Sequence, residues 1–191
     1  MPLPPSLGGE VQGKIYECFS RSEKCGDFAQ AMSQKLVVTL GDETSPSLRV
    51  PANWVAALLE VLRNVRPHTA SCVFKSLIGG WTTSALMHEQ IRLTCIFGCR
   101  EQPDEINHYF VCSPLWQIAS QSLQVEAPLD LAQRLCIDKP TPDTARLLAL
   151  VFALYHFTKT RAKELGGAPA VGPNAVQKIA FEVARALKNH V

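Results

Sequence analysis

The chain has 191 residues, of which 47% are hydrophobic and 19% charged, and its formal net charge is +2. That apolar fraction, with no sustained heptad and no Gly-X-Y period, excludes wholesale disorder, a coiled coil and a collagenous fibre. The longest unbroken apolar run, Leu147 to Tyr155, falls far short of the roughly 20 residues that span a bilayer, so no membrane partner is expected.

Residues 1–34 are polar and punctuated by Gly and Pro, which predicts an extended or flexible lead-in. Between Lys35 and Pro51, two β-favouring runs, Leu36 to Leu40 and Leu48 to Val50, flank a Gly-Asp-Glu-Thr-Ser-Pro cluster and predict a small β-hairpin. Pro51 suits the first turn of a helix, and Trp54, Leu58, Leu59, Leu62 and Val65 recur at helical spacing as far as Arg66-Pro67. Val73, Phe74, Leu77 and Ile78 mark a second helical face before Gly79-Gly80. Thr82-Thr83-Ser84 offers hydroxyl caps for a short helix through Met87 and Glu89.

Further on, Leu115, Ile118, Ala119 and Leu123 predict a helix closed by Pro128, and Leu129 to Cys136 a shorter one. Thr141-Pro142-Asp143 is a start signal for the strongest helix, Asp143 to Leu165, which Gly166-Gly167 ends. Lys159, Arg161 and Lys163 gather in its last turns, where the helix dipole favours cations. After a Gly/Pro linker, Ala175 to Asn189 forms a last amphipathic helix with Val176, Ile179, Ala180, Val183 and Leu187 on one side. The expected class is mainly α, an irregular helical domain over 35–128 followed by a C-terminal helical region over 129–191.

Seven cysteines with no secretory signal do not read as a closed disulfide framework, because the count is odd and a reducing interior keeps thiols free. The chain is therefore expected inside the cell, in nucleus or cytoplasm, and metal binding becomes the live use of its cysteines. Cys95, Cys99, His108 and Cys112 follow one another as C-x3-C-x8-H-x3-C. Structural zinc takes four thiolate or imidazole ligands in a tetrahedron, supplied as two close pairs joined by a spacer, and this stretch supplies two pairs. Gly98 can turn the chain between the first two sulfurs, and His108 and Cys112, four apart, share a helical face. Asp104 and Glu105 would open that turn at its N-terminal end, where carboxylates are favourable. The competing reading is that each thiol is a small buried hydrophobe. Cys18, Cys25, Cys72 and Cys136 make no second quartet and read as buried or incidental thiols.

From Phe74-Lys-Ser-Leu-Ile-Gly-Gly-Trp81 through Met87-His88-Glu89, Cys95-x3-Cys99, Asp104-Glu105 and His108-Tyr-Phe-Val-Cys112 to Pro114-Leu-Trp116, the chain resembles the reverse-transcriptase zinc-binding module of non-LTR retrotransposon proteins. The resemblance covers residues 70–120, about a quarter of the chain. It implies Zn2+ on Cys95, Cys99, His108 and Cys112, and a small helical unit that helps a retroelement protein hold RNA or DNA. The first pair has three intervening residues where the commoner pattern of that family has two.

An enzyme is the least favoured class. There is no Asp-Asp doublet for two-metal polymerisation, no G-x-x-x-x-G-K-[ST] phosphate loop and no H-E-x-x-H. A metal with three thiolates and one imidazole is closed to water. Lys75, Arg92 and Arg100 lie around the module and could meet phosphates, with Trp81, Tyr109 and Phe110 as stacking groups, although Trp81, Phe97, Phe110 and Trp116 are better read as packing around the metal. The other function class is a helical protein-interaction domain, with a protein partner meeting the C-terminal helices and zinc serving only as a staple.

Overall fold

The structure is a computed structural model, which describes residues 32, 36, 50–51, 53–89, 93–99, 101–165 and 173–187. Among the described residues from Trp54 onward, seven helices follow one another: α1 (Trp54–Arg63), α2 (Pro67–Leu77), α3 (Ile106–Val111), α4 (Ser113–Leu123), α5 (Leu131–Arg134), α6 (Pro142–Glu164) and α7 (Pro173–Leu187). Among the described residues there is no sheet, only one antiparallel bridge between Thr94 and Pro103. Mainly α is therefore the class. Leu36, expected to begin a strand, is helical and wholly buried in the core, so packing decides its conformation against its β-favouring neighbours. The rest of the expected hairpin over 37–49, and the lead-in except Met32, lie outside the described residues.

The centre of the fold is α6, which opens with a capping box. Thr141 Oγ1 accepts from the Thr144 N–H, and Thr144 Oγ1 accepts from the Thr141 N–H. A threonine thus fills the role that Glu or Gln usually takes at the third position. Every residue from Leu147 to Tyr155 is buried. A helix apolar all round belongs in an interior, and α1, α2, α4, α5 and α7 all pack against this one. The last helix contributes Val176, Ala180 and Ala184, one residue per turn of small apolar surface. One continuous core joins α1 to α7, and Trp54 pins its first helix to the far side through Nε1 donating to the Cys136 carbonyl at 2.7 Å.

Residues 84–88 form turns, not the short helix that their hydroxyl caps suggest. The capping groups are engaged elsewhere. Ser84 N–H donates to Asp104 Oδ2 at 2.7 Å, Ser84 Oγ accepts from Leu93 N–H at 3.1 Å, and His88 turns left-handed at φ 52°.

Asp104 has no exposed surface, and its carboxylate gathers four residues from three parts of the chain. Besides Ser84 it accepts from Tyr109 Oη at 2.7 Å and Tyr155 Oη at 3.0 Å on Oδ1, and from Lys159 Nζ at 3.0 Å on Oδ2. Lys159 Nζ also donates to the Thr82 carbonyl at 2.6 Å. Lys159 is accordingly not one of a set of surface cations with Arg161 and Lys163. It is a buried ion-pair partner, whereas exposed Arg161 pairs with Glu164 and Lys163 with Glu89. Burial alone would push the Asp104 carboxyl up, but the hydrogen bonds from Tyr109 and Ser84 and the charge of Lys159 outweigh it and hold it below the ordinary carboxylate range.

Removing one partner of a buried pair leaves an uncompensated charge, so Asp104→Asn should lower unfolding stability by about 3–5 kcal/mol in urea titrations at neutral pH. A carboxyl lowered on folding adds stability that is complete above its unfolded value of about 4 and disappears as the pH falls through its native value. The parent chain should therefore lose stability on the acid side of that range, and Asp104→Asn should flatten the loss.

Candidate metal centre

Two short pieces of backbone bring the ligands together. The first is the loop 93–104, closed by Cys95 N–H donating to the Gln102 carbonyl at 2.8 Å and Asp104 N–H donating to the Leu93 carbonyl at 2.9 Å. Within it Gly98 sits at φ 87° and donates back to the Cys95 carbonyl at 3.2 Å, a turn that glycine enters without Cβ strain. The second is the junction of α3 and α4, where Cys112 is both the C-cap of one helix and the N-cap of the next. His108, one turn back on α3, faces the same side. Tyr109 ties the two pieces together, because its hydroxyl donates to Asp104 and lies 3.4 Å from the Ile96 N–H that it accepts.

The ligand atoms of Cys95, Cys99, His108 and Cys112 all lie within 4.8 Å of one another. Cys95 Sγ and Cys99 Sγ are each 3.7 Å from Cys112 Sγ, and all three cysteines are free. A disulfide would hold two sulfurs at about 2.05 Å. Tetrahedral metal–thiolate bonds of about 2.3 Å set sulfurs about 3.8 Å apart, which is the spacing found. His108 Nε2 is buried with no hydrogen-bond partner, a polar atom of the kind that a cation satisfies. The four residues expected from their spacing are therefore together, in a cluster that could hold a metal ion.

The surroundings prepare sulfur for a cation. Cys95 is pulled down to about 4, first by the hydrogen bond from Cys112, against burial, with the nearby His108 imidazole and then the backbone N–H groups of Cys99 and Phe97 acting in the same direction. Cys112 is pushed up as the donor to Cys95 and by burial, and burial also raises Cys99. A divalent ion bound there would favour the thiolate form of all three sulfurs. Burial raises Cys72 to about 11 and Cys136 to about 12, so both stay protonated and inert. Cys18 and Cys25 lie outside the described residues.

Aromatic rings wall the centre. Trp81 stacks on Tyr109 at 5.8 Å and 6° and meets Phe110 and Phe152 edge-on, while Phe97 meets Tyr109 edge-on at 6.2 Å. Trp81, Phe97, Tyr109, Phe110 and Trp116 are all buried. The packing reading of the aromatics is right, and Trp81, Tyr109 and Phe110 offer no surface on which a base could stack. Of the cations around the module, Lys75 is exposed in the last turn of α2, and its charge helps keep His156 near 4, chiefly a result of burial and then of Lys159. Arg92 and Arg100 lie outside the described residues.

Asp104 does not open α3 as a dipole-facing carboxylate. Glu105 takes the N-cap position, and Asp104 turns inward. Its importance escapes a sequence reading because its partners stand 20, 5, 51 and 55 residues away. The nearest available signal is Lys159 in a largely apolar helix, one turn after Tyr155. No known protein family, curated protein or solved structure matches this chain.

Because Gly98 is left-handed, Gly98→Ala should strain the loop by about 1–2 kcal/mol. Metal affinity, measured by competition with a chromophoric chelator, should fall roughly ten-fold while ligand number is unchanged.

Proposed function

We propose that this chain is a non-enzymatic, zinc-stapled helical module that binds RNA or DNA, as the resemblance to the region following a retroelement polymerase implies. The observation that carries the metal half of this reading is the convergence of three sulfurs and one imidazole, with sulfurs 3.7 Å apart. Three thiolates and an imidazole suit zinc better than magnesium or calcium, which take oxygen ligands. Four protein ligands complete a tetrahedral shell and leave no position for substrate or an activated water, so the ion's work is to hold residues 93–112 in shape. The nucleic-acid half rests on the resemblance and on cations at the module's margin, Lys75 with Arg92 and Arg100. With the aromatic rings buried, contact would run through phosphates, which makes binding broad in sequence and sensitive to salt.

The second reading, a helical protein-interaction domain, is favoured by Phe157 on α6 and Phe181 on α7, whose surfaces are 52% and 45% exposed.

Elemental analysis of the purified chain should find one zinc per molecule, with Cys99→Ser and His108→Ala falling well below it. Binding to labelled single-stranded RNA and to duplex DNA should weaken steeply with salt, and Lys75→Gln should lower the slope of log affinity against log salt by about 0.7–0.9. Stoichiometric zinc together with a flat salt response or no binding would move the assignment to the protein-interaction reading. Zinc retained in full by both ligand variants contradicts the metal assignment.

A further inference from the structure

The centre just described carries a charge that its ligands do not balance. Three thiolates and a neutral imidazole around a divalent ion leave a net charge of −1, and Cys95 and Cys112 are buried. A buried charge is costly unless a partner meets it. Candidate partners are cations brought to the cluster by the fold from outside the ligand loops.

Arg134 is such a cation. It ends the four-residue helix α5, whose start is held by Asp130 Oδ1 accepting from the Ala132 and Gln133 N–H groups. The side chain is half-buried and held in place by three neighbours. Nε donates to the Pro128 carbonyl at 2.6 Å, Nη1 donates to the Phe110 carbonyl at 3.3 Å, and the guanidinium carbon lies 4.9 Å from the centre of the Trp116 ring. Phe110 and Trp116 stand two residues before and four residues after Cys112, so these contacts bring the guanidinium to the junction that carries the ligand. α3 and α5 are in contact, which gives the approach a structural basis besides the side chain itself.

We propose that Arg134 is the counter-ion of the metal centre, an outer partner that neutralises the excess negative charge of the Cys95/Cys99/His108/Cys112 site and thereby strengthens its hold on zinc. The proposal rests on the metal reading above. It makes α5, remote from the ligand spacing in sequence, a determinant of metal affinity. A guanidinium suits the task because it stays charged when partly desolvated, and its planar fork can bond two carbonyls while it lies against an indole.

The test uses the full chain, loaded with one equivalent of zinc, in three forms: parent, Arg134→Lys and Arg134→Gln. Zinc affinity is measured by competition with a chromophoric chelator, and far-UV circular dichroism follows folding. Outer partners of metal ligands typically contribute 10–100-fold to affinity, so Arg134→Gln should bind zinc about 10–100-fold more weakly. Arg134→Lys, which keeps the charge and loses the fork, should stay within about three-fold of the parent, a far smaller loss than removal of an outer partner. A parent and an Arg134→Gln chain of equal affinity overturn the assignment. So does an Arg134→Lys chain as weak as Arg134→Gln, since that pattern belongs to a purely structural role for the two carbonyl contacts. Should Arg134→Gln fail to fold, the Lys variant alone still decides between charge and fork. A parent chain that binds no zinc overturns the metal reading itself, and is told apart from the other failures because it needs no variant.

Discussion

Three sulfurs and an imidazole held within 4.8 Å of one another are the constraint around which this fold is arranged. The hydrogen bond that Cys112 donates to Cys95, and then burial, raise Cys112, and burial raises Cys99, so the ligands are gathered at some cost in desolvation. A divalent ion bound there would offset that cost. The loop 93–104 and the helix α3 are each too short to hold a shape alone, since isolated helices below about 12–15 residues are marginal in water. Their order has to come from the cluster on one side and from the core on the other.

The core's part of that order passes through Asp104. Its carboxylate accepts hydrogen bonds from the 84 turn, from α3 and from two positions on α6, so the metal loop is fastened to the central helix by a buried ion pair and two tyrosine hydroxyls. A buried pair of this kind adds little net stability compared with apolar packing of the same volume. It does penalise any arrangement in which Tyr109 or Lys159 is displaced, and Tyr109 adjoins the ligand His108. The aromatic wall around Trp81 acts in the same direction, fixing α3 against α6 through ring contacts that only one placement satisfies.

Much of this was legible in local pattern. The 3,4 spacing from Trp54 to Val65 gives α1, which ends earlier, at Arg63; the Thr141-Pro142-Asp143 signal gives the start of α6 within a residue, and the C-x3-C-x8-H-x3-C spacing names the four cluster residues. In each, the deciding contacts lie within a few residues of one another. What stayed illegible depends on partners far away in the chain. Ser84 looks like a helix cap until Asp104 takes its N–H, Leu36 looks like a strand residue until the core buries it, and Lys159 looks like a dipole-facing surface cation until its ammonium reaches a carboxylate 55 residues back. Arg134 carries no local signal at all, since its neighbours at Phe110 and Trp116 are set by the packing of α5 on α3.

The burial of Trp81, Tyr109 and Phe110 removes base stacking from the proposed contact with nucleic acid and leaves charge. An ion held by the cluster would sit among packed rings, in a dry environment that suits a structural site. The account therefore turns on what surrounds the metal. X-ray absorption at the zinc edge of the purified chain measures this most directly. It should show about three sulfurs at about 2.3 Å and one nitrogen at about 2.0–2.1 Å. A shell dominated by oxygen or nitrogen, or one with fewer than three sulfurs, would contradict it.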